Sequence, residues 1–148
     1  SALQECHMEW NRPPYTVSTD PARLDVDLIH RCLSEQAFWA LGRPREVVER
    51  SLANSLCFGV YEGQAQVGFC RLITDQATFG WLDDVFILPE YRGQGLGKWL
   101  VGCVMAHPLV VGLHRVALAT RDAHSLYMEY GGFTALHNPE RWLERKLK

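Results

Sequence analysis

Residues 92–98 read Arg-Gly-Gln-Gly-Leu-Gly-Lys, so three glycines and two cations fall within seven positions. An apolar run, Val85 to Leu88, stops at Pro89 just ahead of them. Beyond them, apolar residues recur at Leu96, Trp99, Leu100, Cys103 and Val104, which is helical spacing. The stretch therefore reads strand, glycine turn, helix. The first N–H groups of a helix have no partner within it, and the helix dipole favours negative charge there. Glycines allow an anion to approach the backbone closely. On the same strand stand two adjacent carboxylates, Asp83 and Asp84. Neighbouring strand residues face opposite sides, so one of the pair is expected in a cleft and the other against solvent or a helix.

The elements that must position these groups follow from periodicity. Tyr15 to Ser18 is a short β-prone piece. Asp25 can cap a helix whose inner face is Val26, Ile29, Leu33 and Ala37. An apolar loop, Phe38 to Gly42, separates it from a second helix opened by Pro44, with Val47, Val48 and Leu52 inward. Leu56 to Tyr61 and Ala65 to Thr74 are two strands joined by a hairpin at Glu62-Gly63-Gln64. In the second, Val67, Phe69, Arg71 and Ile73 alternate with Gln66, Gly68, Cys70 and Leu72. Asp75-Gln76 turns the chain into a third strand, Thr78 to Leu88, which feeds the glycine turn. The following helix closes at His107-Pro108. Arg115 to Thr120 is a strand lying parallel to the 78–88 strand through a crossover. Asp122 or Ser125 caps a short helix that Gly131-Gly132 ends. A short tail from Phe133, anchored by Trp142 and Leu143, closes the order β-α-α-β-β-β-α-β-α-β. That is an α+β layered domain with helices packed on a mixed sheet.

Length and composition bound the function. The 148 residues suit one domain, 1–148, with 1–10 as a flexible or appended extension ahead of or around Met8. A net charge of −2 argues against a nucleic-acid protein carried by bulk charge. No run of 18 apolar residues predicts a membrane span. Five cysteines, odd in number and without a CxxC pair, read as reduced thiols in a cytoplasmic protein. The six histidines form no metal-ligand pattern, so no metal is expected.

Of the phosphate-binding loops, two fail on the residues. A Walker A loop needs Ser or Thr after Gly97-Lys98, where Trp99 stands, and glycine where Arg92 stands. A Rossmann loop needs glycine at Lys98 and a position after the first strand of a parallel sheet. The run Arg92 to Gly97 instead resembles the [QR]-x-x-G-x-[GA] motif of the GNAT N-acetyltransferases. Val85 to Gly93 resembles that family's strand-to-helix entry. Ser125 to Gly131 resembles its A-x-x-L-Y-x-x-x-G-F helix, with one residue more before Phe133. The resemblance runs from the Tyr15 strand to Phe133.

The resemblance implies the GNAT fold: a mixed, mostly antiparallel sheet with helices on both faces. It implies acetyl-coenzyme A as co-substrate. The pyrophosphate would lie on the backbone of Arg92, Gly93, Gln94, Gly95, Leu96, Gly97 and Lys98. The main chain of Val85, Phe86 and Ile87 would pair with the pantetheine arm, with an N–H near Phe86 facing the thioester oxygen. Tyr127, or Tyr130 if the extra residue shifts the register, would protonate the leaving thiolate. Asp84, or Asp83, would take the amine's proton, with Asp84 nearer to the family's register. Phe38, Trp39 and Trp81 would contact the acceptor, simple core packing being the alternative for the first two. His124 reads as a loop residue. The implied activity is acetyl transfer to a primary amine of a small molecule. A protein N-terminus or lysine is the alternative acceptor, and a coenzyme A-binding module without catalysis the alternative class. A homodimer through the Trp142–Leu143 tail is a further expectation.

Overall fold

The computed structural model describes residues 6–35 and 42–148. Six strands form one sheet in sequence order: β1 (Glu9–Arg12), β2 (Tyr15–Ser18), β3 (Leu56–Glu62), β4 (Ala65–Thr74), β5 (Phe79–Ile87) and β6 (Arg115–Ala117). All neighbours are antiparallel except β5 and β6, which are parallel. The helices are α1 (Val26–Glu35), α2 (Arg45–Ala53), α3 (Leu96–Ala106), the short α4 (Pro108–Val111) and α5 (His124–Gly131). The α+β class and the mixed, mostly antiparallel sheet are as the sequence predicts.

Each face of the sheet has its own core. On one, Leu56, Phe58, Val60, Cys70, Leu72 and Leu82 pack against Leu96, Leu100, Val101, Cys103 and Val104 of α3 and Tyr127 of α5. Leu100 is wholly buried; burial of such a side chain contributes about 2 kcal/mol. On the other, Cys57 and Phe69 meet Ile29 and Leu33 of α1 and Val48 and Leu52 of α2. Val47, expected inward, is exposed instead. The Asp25 carboxylate caps α1 by accepting from the Leu28 N–H at 3.0 Å, and Arg45 of α2 ion pairs with Asp27 of α1.

The structure departs from the sequence reading at several places. Residues 9–12, assigned in part to a flexible extension, pair with β2 as an edge strand. Only Trp10 gives this strand an inward anchor, its ring centre 6.2 Å from that of Phe58 and tilted by 32°, so its apolar signal is weak. In β4 the pairing jumps from Val60↔Gly68 to Tyr61↔Gln66 and skips Val67. This bulge turns Val67 to the α3 face, with Cys70 and Leu72, while Phe69 stays on the α1 face; simple alternation cannot show that. The expected strand 115–120 pairs only over 115–117. No strand forms after Phe133; Asn138 is left-handed (φ 57) and Pro139 opens a 3-10 turn, which suits a residue lacking an N–H. Neither Asp122 nor Ser125 caps α5. The Thr120 hydroxyl oxygen accepts from the Ala123 N–H instead, at 3.1 Å.

Candidate active site

The glycine turn leaves β5 through a 3-10 turn, Pro89–Tyr91, and enters α3 at Gly95. Gly93 (φ 83) and Gly95 (φ 82) are both left-handed, a conformation in which a side chain is strained. An added Cβ would meet no atom within 4 Å at Gly93, so that position is open to whatever approaches the loop. Gly95 offers no side-chain cap to the helix. The first-turn N–H groups of α3 therefore remain available to an anion. The rest of the loop is braced from behind. The Arg92 Nε donates to the Ile87 carbonyl at 2.9 Å, and the Tyr15 hydroxyl donates to Gln94 Oε1 at 2.9 Å.

The strand ahead of the loop opens a cleft. β5 and β6 pair only at Phe79↔Arg115, Gly80↔Val116 and Trp81↔Ala117. Past that point Leu82–Ile87 and Leu118–Asp122 form opposite walls of a cleft of about 880 Å³. Gly93, Gly95, Gly97 and Lys98 line one end, and Tyr127 lines the cleft from α5. A thin, amide-bearing ligand that ends in phosphates suits this shape: a strand edge with unpaired main chain running into a helix N-terminus.

Asp83 and Asp84 sit where β5 bulges. The β4 pairing runs from Phe69↔Phe86 to Arg71↔Asp83, so Asp84 and Val85 together oppose Cys70. Asp84 takes a left-handed φ of 53, uncommon for any residue but glycine. The consequence corrects the alternation argument: both aspartates, not one, line the cleft. Their environments differ. The Asp84 carboxylate is 2% exposed, with Arg71 Nε at 2.6 Å and Arg43 Nη1 at 3.2 Å. The Asp83 carboxylate is 39% exposed; it accepts from the Asp84 N–H at 2.9 Å and meets Arg71 Nη2 at 3.5 Å. Burial raises the Asp83 pKa from its ordinary value, and the Asp84 charge adds to this. The Asp84 N–H, Arg71 and Arg43 oppose it.

Of the two tyrosines, Tyr127 is buried and lines the cleft, whereas Tyr130 is exposed under the Lys98 ammonium, 4.8 Å from its ring centre. Burial pushes the Tyr127 phenol up to about 12, with smaller contributions from Cys70 and Asp83. The phenol is thus protonated throughout the neutral range. Its ring meets Phe133 edge-on at 5.9 Å. His124 opens α5 and faces an adjoining groove of about 760 Å³ along β6, which shares Leu118–Thr120 and Tyr127 with the cleft; His124 itself does not line the cleft. Trp81 is half-buried where β5 last pairs with β6, and does not line the cleft. Phe38 and Trp39 lie outside the described residues. Three arginines escaped the sequence reading. Arg71 reads in the sequence only as a strand-face residue, and Arg43 only as the last residue of the 38–43 loop that the resemblance turns toward the acceptor. Arg12 sits on the unpredicted β1, with a guanidinium nitrogen 3.7 Å from where a Gly95 Cβ would be. Nothing in local sequence marks the first two; both act through partners on distant segments. Among the described residues no cluster of His, Cys, Asp or Glu could hold a metal, and no helix is long and apolar enough to cross a membrane.

Residues 7–133 match the acetyltransferase (GNAT) family. A candidate acetyltransferase of Gibberella zeae is 38% identical, over 80% of this chain and 78% of its own. The crystal structure of a candidate GNAT acetyltransferase from Xanthomonas campestris pv. campestris superposes with a TM-score of 0.87 at 49% identity, covering 93% of this chain and 96% of that one. A further candidate acetyltransferase, from Clostridium acetobutylicum and solved with acetyl-CoA, shares the fold at TM-score 0.60 and 14% identity, over 95% of each chain. The chain belongs to the GNAT acetyltransferase family, whose members bind acetyl-CoA and an acceptor.

Proposed function

We propose that this protein moves the acetyl group of acetyl-CoA to a primary amine of a small molecule. The observation that carries the reading is the convergence of Asp83, Tyr127 and the glycine turn on one cleft. The backbone of residues 92–98 holds the pyrophosphate, and the main chain of Val85–Ile87, apart from the Ile87 carbonyl that Arg92 occupies, pairs with the pantetheine. Acetyl transfer requires the amine to lose a proton, the thioester oxygen to be stabilised and the thiolate to be protonated. Asp83 is the better base of the aspartate pair. It keeps an accessible carboxylate, while two guanidinium groups occupy Asp84. The amine nitrogen bonds to the acetyl carbon, and its proton goes to the Asp83 carboxylate directly or through water. An N–H near Phe86 donates to the carbonyl oxygen. As the C–S bond breaks, Tyr127 gives its proton to the sulfur.

Five unpaired cysteines, four of them buried, suit a reducing cytoplasmic setting. Leu143 and Leu147 are 96% and 79% exposed; these apolar tail residues are the surface a homodimer would cover, to be tested by sedimentation. The test of the activity is thermal shift with CoA and acetyl-CoA, followed by thiol release across a panel of amines, peptides with free N-termini and lysine peptides. Release with small amines supports the proposal. Release only with peptides moves the acceptor class. Stabilisation by CoA without release for any acceptor leaves a binding module.

A further inference from the structure

The charged groups behind the cleft form one connected network. The Arg43 Nη1 donates to Asp84 Oδ2 at 3.2 Å, and the Arg71 Nε donates to the same oxygen at 2.6 Å. The Arg71 Nη1 also donates to the Ser55 hydroxyl at 3.2 Å, and that hydroxyl donates to the Ser51 carbonyl in α2 at 2.7 Å. At the other end, the His30 Nε2 lies 2.9 Å from the Arg43 carbonyl. A carbonyl can only accept, so that nitrogen carries the proton. The network therefore runs from α1 (His30) through Arg43 to β5 (Asp84), then to β4 (Arg71) and the end of α2.

We infer that Arg43 and Asp84 are positioning residues that clasp the entry to α2, residues 42–44, onto the cofactor strand, leaving Asp83 as the member of the aspartate pair exposed to an acceptor. Three observations carry this. Arg43 lies two residues ahead of α2, before the Pro44 cap, so its side chain ties the entry to that helix directly to β5. Asp84 holds its left-handed backbone in a bulge, a conformation that persists only when its surroundings over-determine it. Two carboxylates are matched by two guanidiniums, so the network is neutral, and an incoming ammonium meets Asp83 without displacing an excess of negative charge. The groups facing Asp83 are Asp84 on its own strand, Arg71 from β4, Arg43 from the α1–α2 connection and, on the coenzyme side of the cleft, Tyr127 of α5.

The test compares Arg43→Gln, Arg43→Lys and Asp84→Asn with the natural chain. Hydrogen–deuterium exchange reads the clasp without any acceptor. Arg43→Gln is expected to raise exchange over residues 42–48 by about ten-fold, the effect of losing one charge-assisted contact. β3 and β4 should be unchanged, and Arg43→Lys should restore most of the protection. With an amine that the natural protein acetylates, Arg43→Gln should move the acid limb of the pH–rate profile upward, because a cation facing Asp83 is gone. It should also raise KM for the amine with the CoA-induced thermal shift intact. The pH and KM readings rest on the proposed acetyl transfer; the exchange reading does not. If no amine turns over, that proposal fails and exchange still decides the clasp. Natural exchange over residues 42–48 in a folded Arg43→Gln protein overturns the inference. If Asp84→Asn fails to fold, the Arg43 pair carries the test by itself.

Discussion

The Arg71 guanidinium Nε lies 2.6 Å from Oδ2 of Asp84, a carboxylate only 2% exposed, while its Nη2 reaches Asp83 at 3.5 Å. One guanidinium thus serves two adjacent carboxylates. Replacing it by an apolar side chain strands Asp84 in a buried setting with only Arg43 for neutralisation. Losing one partner of a buried pair destabilises by about 3 kcal/mol. Arg71→Met should therefore lower the urea midpoint by that equivalent, with Arg71→Lys intermediate because a single ammonium nitrogen lacks the planar fork whose three nitrogens reach Asp84, Asp83 and Ser55. An unchanged midpoint in Arg71→Met would show that Asp84 tolerates a single cation.

Tyr127→Phe removes one hydroxyl and keeps the ring that packs on Phe133. The fold and the thermal shift with CoA should be preserved. If the phenol protonates the thiolate, kcat should fall by about 10²- to 10⁴-fold, the range for a positioned general acid. Because the phenol sits near 12, the natural enzyme should show no loss of activity from its deprotonation up to pH 9. Near-normal turnover in Tyr127→Phe takes the residue out of the mechanism.

Gly93 tests the cradle. At φ 83, with no atom within 4 Å of a built Cβ, Gly93→Ala meets strain but no clash, at about 1–2 kcal/mol. The loop can relieve this only by leaving the left-handed region, which turns its N–H groups away from the anion. The expected result is a small change in midpoint without ligand and loss of most of the CoA-induced stabilisation. Equal CoA stabilisation in both proteins would argue against phosphate binding at this loop.

His107 gives the fold a pH signature. Its Nδ1 accepts from the Leu109 N–H at 3.0 Å, and its ring packs on Trp10 and Phe58. Burial lowers its pKa below the ordinary 6.5, so the ring is neutral in the folded protein. As pH falls below about 6.5 the unfolded chain takes up a proton that the folded chain does not, and stability declines until the folded pKa is reached. His107→Asn keeps a side-chain acceptor for Leu109 and removes the titration. Urea midpoints at pH 7 and pH 5 should differ less in this variant than in the natural chain.

The parts of the site that are local in sequence were legible. The glycine turn, the helix after it and the strand before it depend on a continuous stretch, and residues 82–98 show them through periodicity and glycine spacing. Tyr127 was reachable because its helix carries a second local motif. The bulges at Val67 and Asp84 were not, because each inserts a residue into a pairing that only the partner strand defines. That is why the aspartates read as alternating when both line the cleft. Arg71 was hidden for the same reason: its strand position says which face it occupies, not that two carboxylates 12 and 13 residues away meet it there.

Arg12 is the remaining residue that only the three-dimensional arrangement reveals. β1 pairs with β2 at the sheet edge and ends with Arg12 opposite Tyr15. The guanidinium carbon lies 5.8 Å from the Trp99 ring centre in α3, and a guanidinium nitrogen approaches Gly95. A cation so placed adds to the positive end of α3 that the glycine turn presents. Arg12→Ala should weaken CoA binding by about ten-fold, the worth of one charge-assisted contact. It should also flatten the dependence of affinity on salt, since one fewer charge is screened. Desphospho-CoA, which lacks the 3′-phosphate, separates the two phosphate groups as targets. If Arg12 meets the pyrophosphate, the variant loses affinity equally for both ligands; if it meets the 3′-phosphate, only CoA binding weakens. Isothermal titration of both proteins with both ligands reads this directly, and unchanged affinity for each would leave Arg12 as a packing partner of Trp99.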